Sequence, residues 1–234
     1  NVSMYTNSEL DADAALSLAT DHIAIATGAR WTKRLYSALE IPSEPLDLHQ
    51  VFTPEDVFTG AVSGDRVLVF DYDNYYLGGV VAEHLATQGK HTHYATPAGH
   101  ASAWTFMTNE LPFVYQALAH SGVSFHTTTN LMSFDGTRAQ LQNPFNAEPI
   151  ELNIDAIVIV GHREPRDELY QSLITSTEGA AHPSISLVGD ALARVLGVDV
   201  GHLPVEVGER GEEVHDEAHL ALLGLALLDD REHL

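Results

Sequence analysis

Hydrophobic and polar positions along the chain fall into strand-length and helix-length patterns that alternate over most of its length. Residues 22–26 (HIAIA) form a compact apolar run stopped by Thr27-Gly28, and 66–70 (RVLVF) and 156–160 (AIVIV) are nearly continuous in apolar residues. Such runs suit parallel strands covered on both faces. Over 77–88, Leu77, Val80, Val81, His84 and Leu85 recur near a 3.6-residue period, and Gly89 ends the pattern. This predicts a helix. A strand over 91–95 follows, so strand, turn, helix and strand fit within about thirty residues, the span of a right-handed βαβ unit. A helix over 112–120 and a strand over 123–126 continue the alternation.

The flanks carry further signals. Residues 2–5 predict a short strand, and 11–18 a short helix capped by Asn7 or Ser8. Thr53-Pro54-Glu55-Asp56 reads as a helix start: Thr caps, Pro takes the first helical position, and Asp three residues on closes a capping box. Short strands over 131–134, 139–142 and 150–153 are separated by Asp135-Gly136 and Asn143-Pro144, so a small antiparallel meander interrupts the parallel pattern. A helix over 168–174 and a strand over 184–188 precede Gly189-Asp190. Beyond about Leu192 the alternation stops, apart from an Ala/Leu-rich helical stretch over 217–229. The expected class is α/β: a Rossmann-like, three-layer arrangement with a parallel sheet plus a small antiparallel meander.

Charge narrows the function. Thirty-three Asp and Glu oppose eleven Lys and Arg, for a formal charge of −22. No surplus of cations is available to neutralise phosphates, which argues against nucleic-acid binding and against a polybasic membrane anchor. The acidity reads either as solubility by self-repulsion or as a docking face for a basic partner. The chain has no Cys, which excludes disulfides, thiolate metal sites and cysteine-held clusters within it. No apolar run approaches the ~20 residues of a membrane span. Asn1 opens the chain in place of Met, so the expectation is a piece of something larger.

Four strand ends could carry a ligand. After 66–70 the turn reads Asp71-Tyr72-Asp73-Asn74-Tyr75-Tyr76-Leu77-Gly78-Gly79. A dinucleotide needs glycines where its pyrophosphate approaches a helix N-terminus. Here two carboxylates would repel the anion and tyrosines would fill the pocket, so the nucleotide site is expected to be absent; the alternative is binding through Gly78 and Gly79. Ala26-Thr27-Gly28 and Gly161-His162-Arg163 also follow apolar strands, and a Gly there lets the chain turn beneath a ligand or simply ends the strand. Asp190, after Gly189, can accept hydrogen bonds from sugar or ribityl hydroxyls, or cap a helix. Fourteen His are present. His91 and His93 share a strand face, and His215 and His219 lie four apart near Glu212, Glu213 and Asp216. The order His-Asp-Glu-Ala-His is not that of a zincin, so this stretch reads as a solvated acidic helix. No residue is assigned as catalytic or as a metal ligand, and there is neither a Gly-x-Ser-x-Gly elbow nor a P-loop.

Laid end to end, these pieces resemble one family. Residues 21–31 (DHIAIATGARW) are similar to the IATGARW stretch of trimethylamine dehydrogenase and its relatives: dimethylamine dehydrogenase, histamine dehydrogenase and the 2,4-dienoyl-CoA reductase class of NADH:flavin oxidoreductases. TPEDV at 53–57, GDRVLV at 64–69, VVAEHLA at 80–86, HASAWTFMTNELP at 100–112 and SISLVGDA at 184–191 follow in register. The match stops after Ala193.

The resemblance implies the C-terminal, FAD/NAD(P)-binding-like part of such an enzyme. Residues 1–62 and 154–198 would form a split and incomplete ADP/FAD-binding-like domain, 63–153 an inserted NAD(P)-binding-like domain, and 199–234 a divergent acidic tail. Ala26, Thr27, Gly28, Gly189 and Asp190 would line an ADP or FAD site. FMN on a barrel and a 4Fe-4S cluster belong to the N-terminal part, which is expected to be missing along with the Gly-rich βαβ before Asn1. Electron-transfer flavoprotein is the implied partner, a homo-oligomer the implied parent, and the cytoplasm the implied location. The leading expectation is therefore an oxidoreductase fragment, not catalytic alone, that supplies a scaffold and a partner surface. An acidic docking module and a working NAD(P)H-binding reductase domain are the alternatives.

Overall fold

The computed structural model describes residues 2–35, 46, 48–146, 148–177 and 183–192. All lie in the first of two compact units, residues 1–197, the second being 198–234. The expected acidic tail, its Ala/Leu-rich helix and the His215/His219 pair lie outside the described residues. In chain order the first elements are helix α1 (Ala12–Ser17) and strands β1 (His22–Ile25), β2 (Ala29–Trp31) and β3 (Val51–Phe52). Helix α2 (Pro54–Phe58), strand β4 (Arg66–Asp71), helix α3 (Tyr76–Thr87), strand β5 (His91–Ala95), helix α4 (Leu111–His120) and strand β6 (Ser124–His126) come next. Strands β7 (Asn130–Phe134), β8 (Arg138–Gln142), β9 (Ile150–Asn153), β10 (Ala156–Val160) and β11 (Arg163–Pro165), helix α5 (Glu168–Thr177) and strand β12 (Ser184–Leu187) complete them.

Five strands form a parallel sheet in the order β3-β10-β4-β5-β6. Its two central strands, β4 and β10, are the two longest apolar runs, and both faces of each are covered. Val67, Val69, Tyr94, Val158 and Val160 point to one side and pack with Val81 and Leu85 of α3 and Leu118 of α4. Leu68, Phe70, Ala95, Ile157 and Ile159 point to the other and pack with Leu131, Phe134, Ala139 and Leu141 of the antiparallel β7-β8-β9 sheet. The alternation within each strand follows from the two-residue period of the pleat. The three layers are thus helices, parallel sheet and meander, as the sequence predicts. Val51–Phe52 and Ala156–Val160 join this sheet from outside the 63–153 stretch.

A second, two-stranded parallel sheet pairs β1 with β12, His22 opposite Ser184 and Ile25 opposite Leu187. Its covered face packs through Ile25 against Ala15 of α1 and Leu173 of α5. Between the two parallel sheets run β2 and β11, paired antiparallel with Trp31 opposite Arg163 and Ala29 opposite Pro165.

Local chemistry explains most boundaries. Asp56 Oδ2 accepts the Thr53 amide at 2.8 Å, the expected capping box of α2. Asp11, rather than Asn7 or Ser8, caps α1, its Oδ1 accepting the Ala14 amide at 2.8 Å. Residues 2–5 form no strand; no neighbouring strand lies alongside them and Val2, Met4 and Tyr5 are exposed. Asp135 Oδ1 accepts the amides of Thr137 and Arg138 at 2.8 and 2.7 Å, closing the Asp135-Gly136 hairpin.

At the amino edge of the five-stranded sheet, Asp155 clasps β4. Its carboxylate accepts the Asp65 and Arg66 amides at 3.1 and 2.9 Å and the Arg66 guanidinium at 3.2 and 2.5 Å. Hydrogen bonds to Arg66 hold its carboxyl well below the usual carboxylate range. Asp155→Ala removes the acceptor from these exposed donors, which water can then satisfy, and a loss of about 1 kcal/mol is expected. Urea unfolding measures it; an unchanged midpoint contradicts the clasp.

Candidate functional site

Two crevices open at the carboxyl ends of the parallel strands, where open α/β sheets bind ligands. The first lies at the ends of β1 and β12. The Val188 amide donates to the Ile25 carbonyl at 2.9 Å, which sets Ala26, Thr27 and Gly28 beside Gly189 and Asp190. All five follow the ends of this pair of strands. Gly28 and Gly189 adopt φ of +75° and +62°, and a Cβ on either would meet no atom of the described residues within 4 Å. The left-handed backbone is what glycine supplies there, and the open space above it can receive a ligand. The Thr27 hydroxyl is already committed, donating to the Arg166 carbonyl, whose own amide donates to the Gly28 carbonyl at 2.9 Å. Ala26 and Thr27 therefore offer backbone rather than side-chain groups.

Asp190 has a partner that the sequence did not suggest. The Arg163 guanidinium lies 3.0 Å from Asp190 Oδ2, 3.9 Å from Asp73 Oδ1 and 5.0 Å above the Trp31 ring. One cation thus ties the first crevice to the turn of the second. The signal was present in Gly161-His162-Arg163, where an Arg stands two residues after a strand-ending Gly.

The second crevice, after β4, is closed. Asp71, the last residue of β4, is fully buried. Its Oδ2 accepts the Tyr94 hydroxyl, and its Oδ1 accepts the Asn74 amide at 3.0 Å. The Ser102 amide donates to Tyr94 Oη at 2.8 Å. Asn74, with φ of +60°, sends its Oδ1 to the Thr96 hydroxyl at 2.9 Å and its carbonyl to the Trp104 amide at 2.9 Å. The glycines of α3 are in use. A methyl on Gly78 would overlap the Asp71 carboxyl group, and one on Gly79 would stand 2.8 Å from Ser102 Oγ. Nothing about this arrangement fits a bound pyrophosphate. The expected filling by tyrosines is corrected: Tyr75 and Tyr76 are 41% and 54% exposed and stack edge to face with each other. Their aromatic edges find partners outside the crevice, and the smaller Asp71 and Ser102 fill it.

Burial pushes the Asp71 carboxyl up to about 7, against the hydrogen bonds from Tyr94 and Asn74 that favour its ionised form. Burial and the facing carboxylate push the Tyr94 hydroxyl well up as well. Burial also raises Asp73, opposed by Arg163. Elsewhere, His93 Nδ1 and His126 Nε2 lie 3.0 Å apart on neighbouring strands, and burial lowers both. Among the described residues no group of three or more His, Cys, Asp or Glu side chains is arranged to hold a metal ion. No helix among them is long and apolar enough to cross a membrane.

The raised Asp71 carboxyl makes stability pH-dependent. The folded chain binds this proton more tightly than the unfolded one, so its contribution is full below about pH 4 and is lost as pH rises through about 7. Asp71→Asn removes that dependence: relative to wild type it gains stability between pH 4 and 8, by up to roughly 4 kcal/mol. Urea midpoints at the two pH values measure it, and a difference that does not change with pH contradicts the buried carboxyl.

No family model matches the chain. It is 26% identical over 209 residues to dimethylamine dehydrogenase of Hyphomicrobium sp. (strain x), covering 78% of this chain and 28% of that protein. Among solved structures it matches 6-hydroxypseudooxynicotine amine oxidase of Pseudomonas geniculata N1 with a TM-score of 0.76 and 32% identity, over 82% of this chain and 29% of that one. Histamine dehydrogenase of Rhizobium sp. 4-9 follows with a TM-score of 0.73 and 28% identity, over 80% and 28%. The chain therefore spans under a third of the length of these relatives. In sequence and in fold, this chain thus resembles a segment of the trimethylamine dehydrogenase, dimethylamine dehydrogenase and 2,4-dienoyl-CoA reductase family of flavin oxidoreductases.

Proposed function

We propose that this chain is a segment of a flavin-dependent oxidoreductase of the amine dehydrogenase type, in which the first crevice holds the ADP portion of ADP or FAD. The observation that carries this reading is the pair of glycines, Gly28 and Gly189, side by side at the ends of paired parallel strands with open space above them. In it, the backbone of Ala26, Thr27 and Gly28 faces the nucleotide, and Asp190 accepts hydrogen bonds from ribose hydroxyls in competition with Arg163. A flavin, when bound, supplies the redox chemistry itself; these residues bind and orient. The segment is not catalytic alone. Its parent oxidises a small amine at FMN and passes electrons to an electron-transfer flavoprotein.

The five-stranded sheet then acts as a nucleotide-free scaffold with a partner surface. Trp104, Phe106, Met107 and Phe113 stand exposed on the segment after β5 and at the start of α4, and exposed aromatic and Met side chains of this kind are enriched at protein interfaces. The alternative, an acidic docking module for a basic partner, rests instead on the formal charge of −22. Association that weakens steeply with salt marks the acidic docking module, because rim charges act on encounter.

Isothermal titration of the chain with ADP and with FAD tests the first crevice. Saturable binding is expected, and Gly189→Val weakens it at least about tenfold by placing a branched side chain in the open space and straining a positive φ. Absence of heat at millimolar nucleotide overturns the reading.

A further inference from the structure

The second crevice has the layout of a nucleotide site and the glycines of one, yet both glycines serve the protein's own atoms. A pyrophosphate at such a site rests on the first turn of the helix after the strand, where missing Cβ atoms let it approach the backbone. In this chain the first turn of α3 carries Gly78 and Gly79, and what approaches Gly78 is the carboxyl group of Asp71. That group accepts hydrogen bonds from a loop amide, Asn74, and from the Tyr94 hydroxyl, as a phosphate oxygen would from a glycine-rich loop. Tyr94 is fully buried and is itself fixed by the Ser102 amide, so the carboxyl group cannot swing out without breaking a buried network. Of the tyrosines in this turn, Tyr75 and Tyr76 stand in solvent and Tyr72 packs against the core on the meander side of the sheet. Asp71 fills the space against Gly78, and Ser102 the space against Gly79.

We propose that Asp71 excludes dinucleotides from the five-stranded sheet by occupancy: its carboxyl group stands on Gly78 where a bound phosphate would stand. The exclusion comes from filled volume and satisfied hydrogen bonds, not from charge repulsion. It therefore persists when Asp71 is protonated, and a neutral side chain of the same shape preserves it. This inference does not depend on nucleotide binding in the first crevice.

The test follows the amide resonances of Gly78 and Gly79 in the nitrogen-15-labelled chain during titration with inorganic pyrophosphate at pH 6 and pH 8. Reading these two amides separates the second crevice from any binding at Gly28 and Gly189. In wild type neither amide moves at either pH. Asp71→Asn leaves them equally still. Asp71→Gly makes them move saturably, with an affinity at least about tenfold above wild type; Asp71→Ser serves the same purpose if the glycine variant does not fold. Movement in wild type at either pH overturns the proposal. So does movement in Asp71→Asn equal to that in Asp71→Gly, which would make charge the cause. Still amides in a folded Asp71→Gly or Asp71→Ser also overturn it.

Discussion

The hydrogen bond between the Tyr94 hydroxyl and the buried Asp71 carboxyl group is the constraint on which the five-stranded sheet is organised. It joins the carboxyl ends of β4 and β5 beneath the first turn of α3. It requires Gly78, because any larger residue there would overlap the carboxyl group. It requires the segment after β5 to return, because the Ser102 amide completes the shell of Tyr94. A buried polar group without partners costs about 1–3 kcal/mol or more, so the strand end, helix start and loop are held together as one unit. The apolar layers above and below then pack on a turn whose shape is already set.

The two crevices use one topological device with opposite results. Each lies at the carboxyl ends of neighbouring parallel strands and each has glycines at the turn. At Gly28 and Gly189 the positive φ values face open space, while at Gly78 and Gly79 the missing Cβ atoms are answered by Asp71 and Ser102. Arg163 reaches both, touching Asp190 of the first and Asp73 of the second from a position over Trp31. These ion pairs are partly exposed and contribute under about 1 kcal/mol each. Their significance is geometric: a ligand that uses Asp190 competes with Arg163, whose other neighbour belongs to the closed turn.

Much of the fold was legible because burial on both faces leaves a plain mark in sequence. β4 and β10 are unbroken apolar runs, and they occupy the centre of the sheet with cover on each side. The meander announced itself through Asp135-Gly136, whose carboxylate closes the turn. β2 and β11 were not legible: each is three residues long, and they exist only because Trp31 and Arg163 pair across 131 intervening positions. The five residues of the first crevice were legible as strand ends followed by glycine. The closure of the second was legible in outcome but not in cause. Composition put tyrosines beside carboxylates, but only the backbone direction at Asn74 and Tyr75 decides which side chains turn inward. Tyr94, inside a strand facing α3, had one sequence signal: a polar side chain in a buried strand requires a polar partner at the same depth, and Asp71 was the nearest strand-end acid.

The most direct measurement is the titration of the Asp71 side-chain carbonyl by carbon-13 NMR in the intact chain. Burial beneath Gly78 predicts a midpoint near 7, with the Tyr94 ring resonances changing in the same step. A midpoint near that of an ordinary solvated aspartate, about 4, with Tyr94 unaffected, would contradict the account.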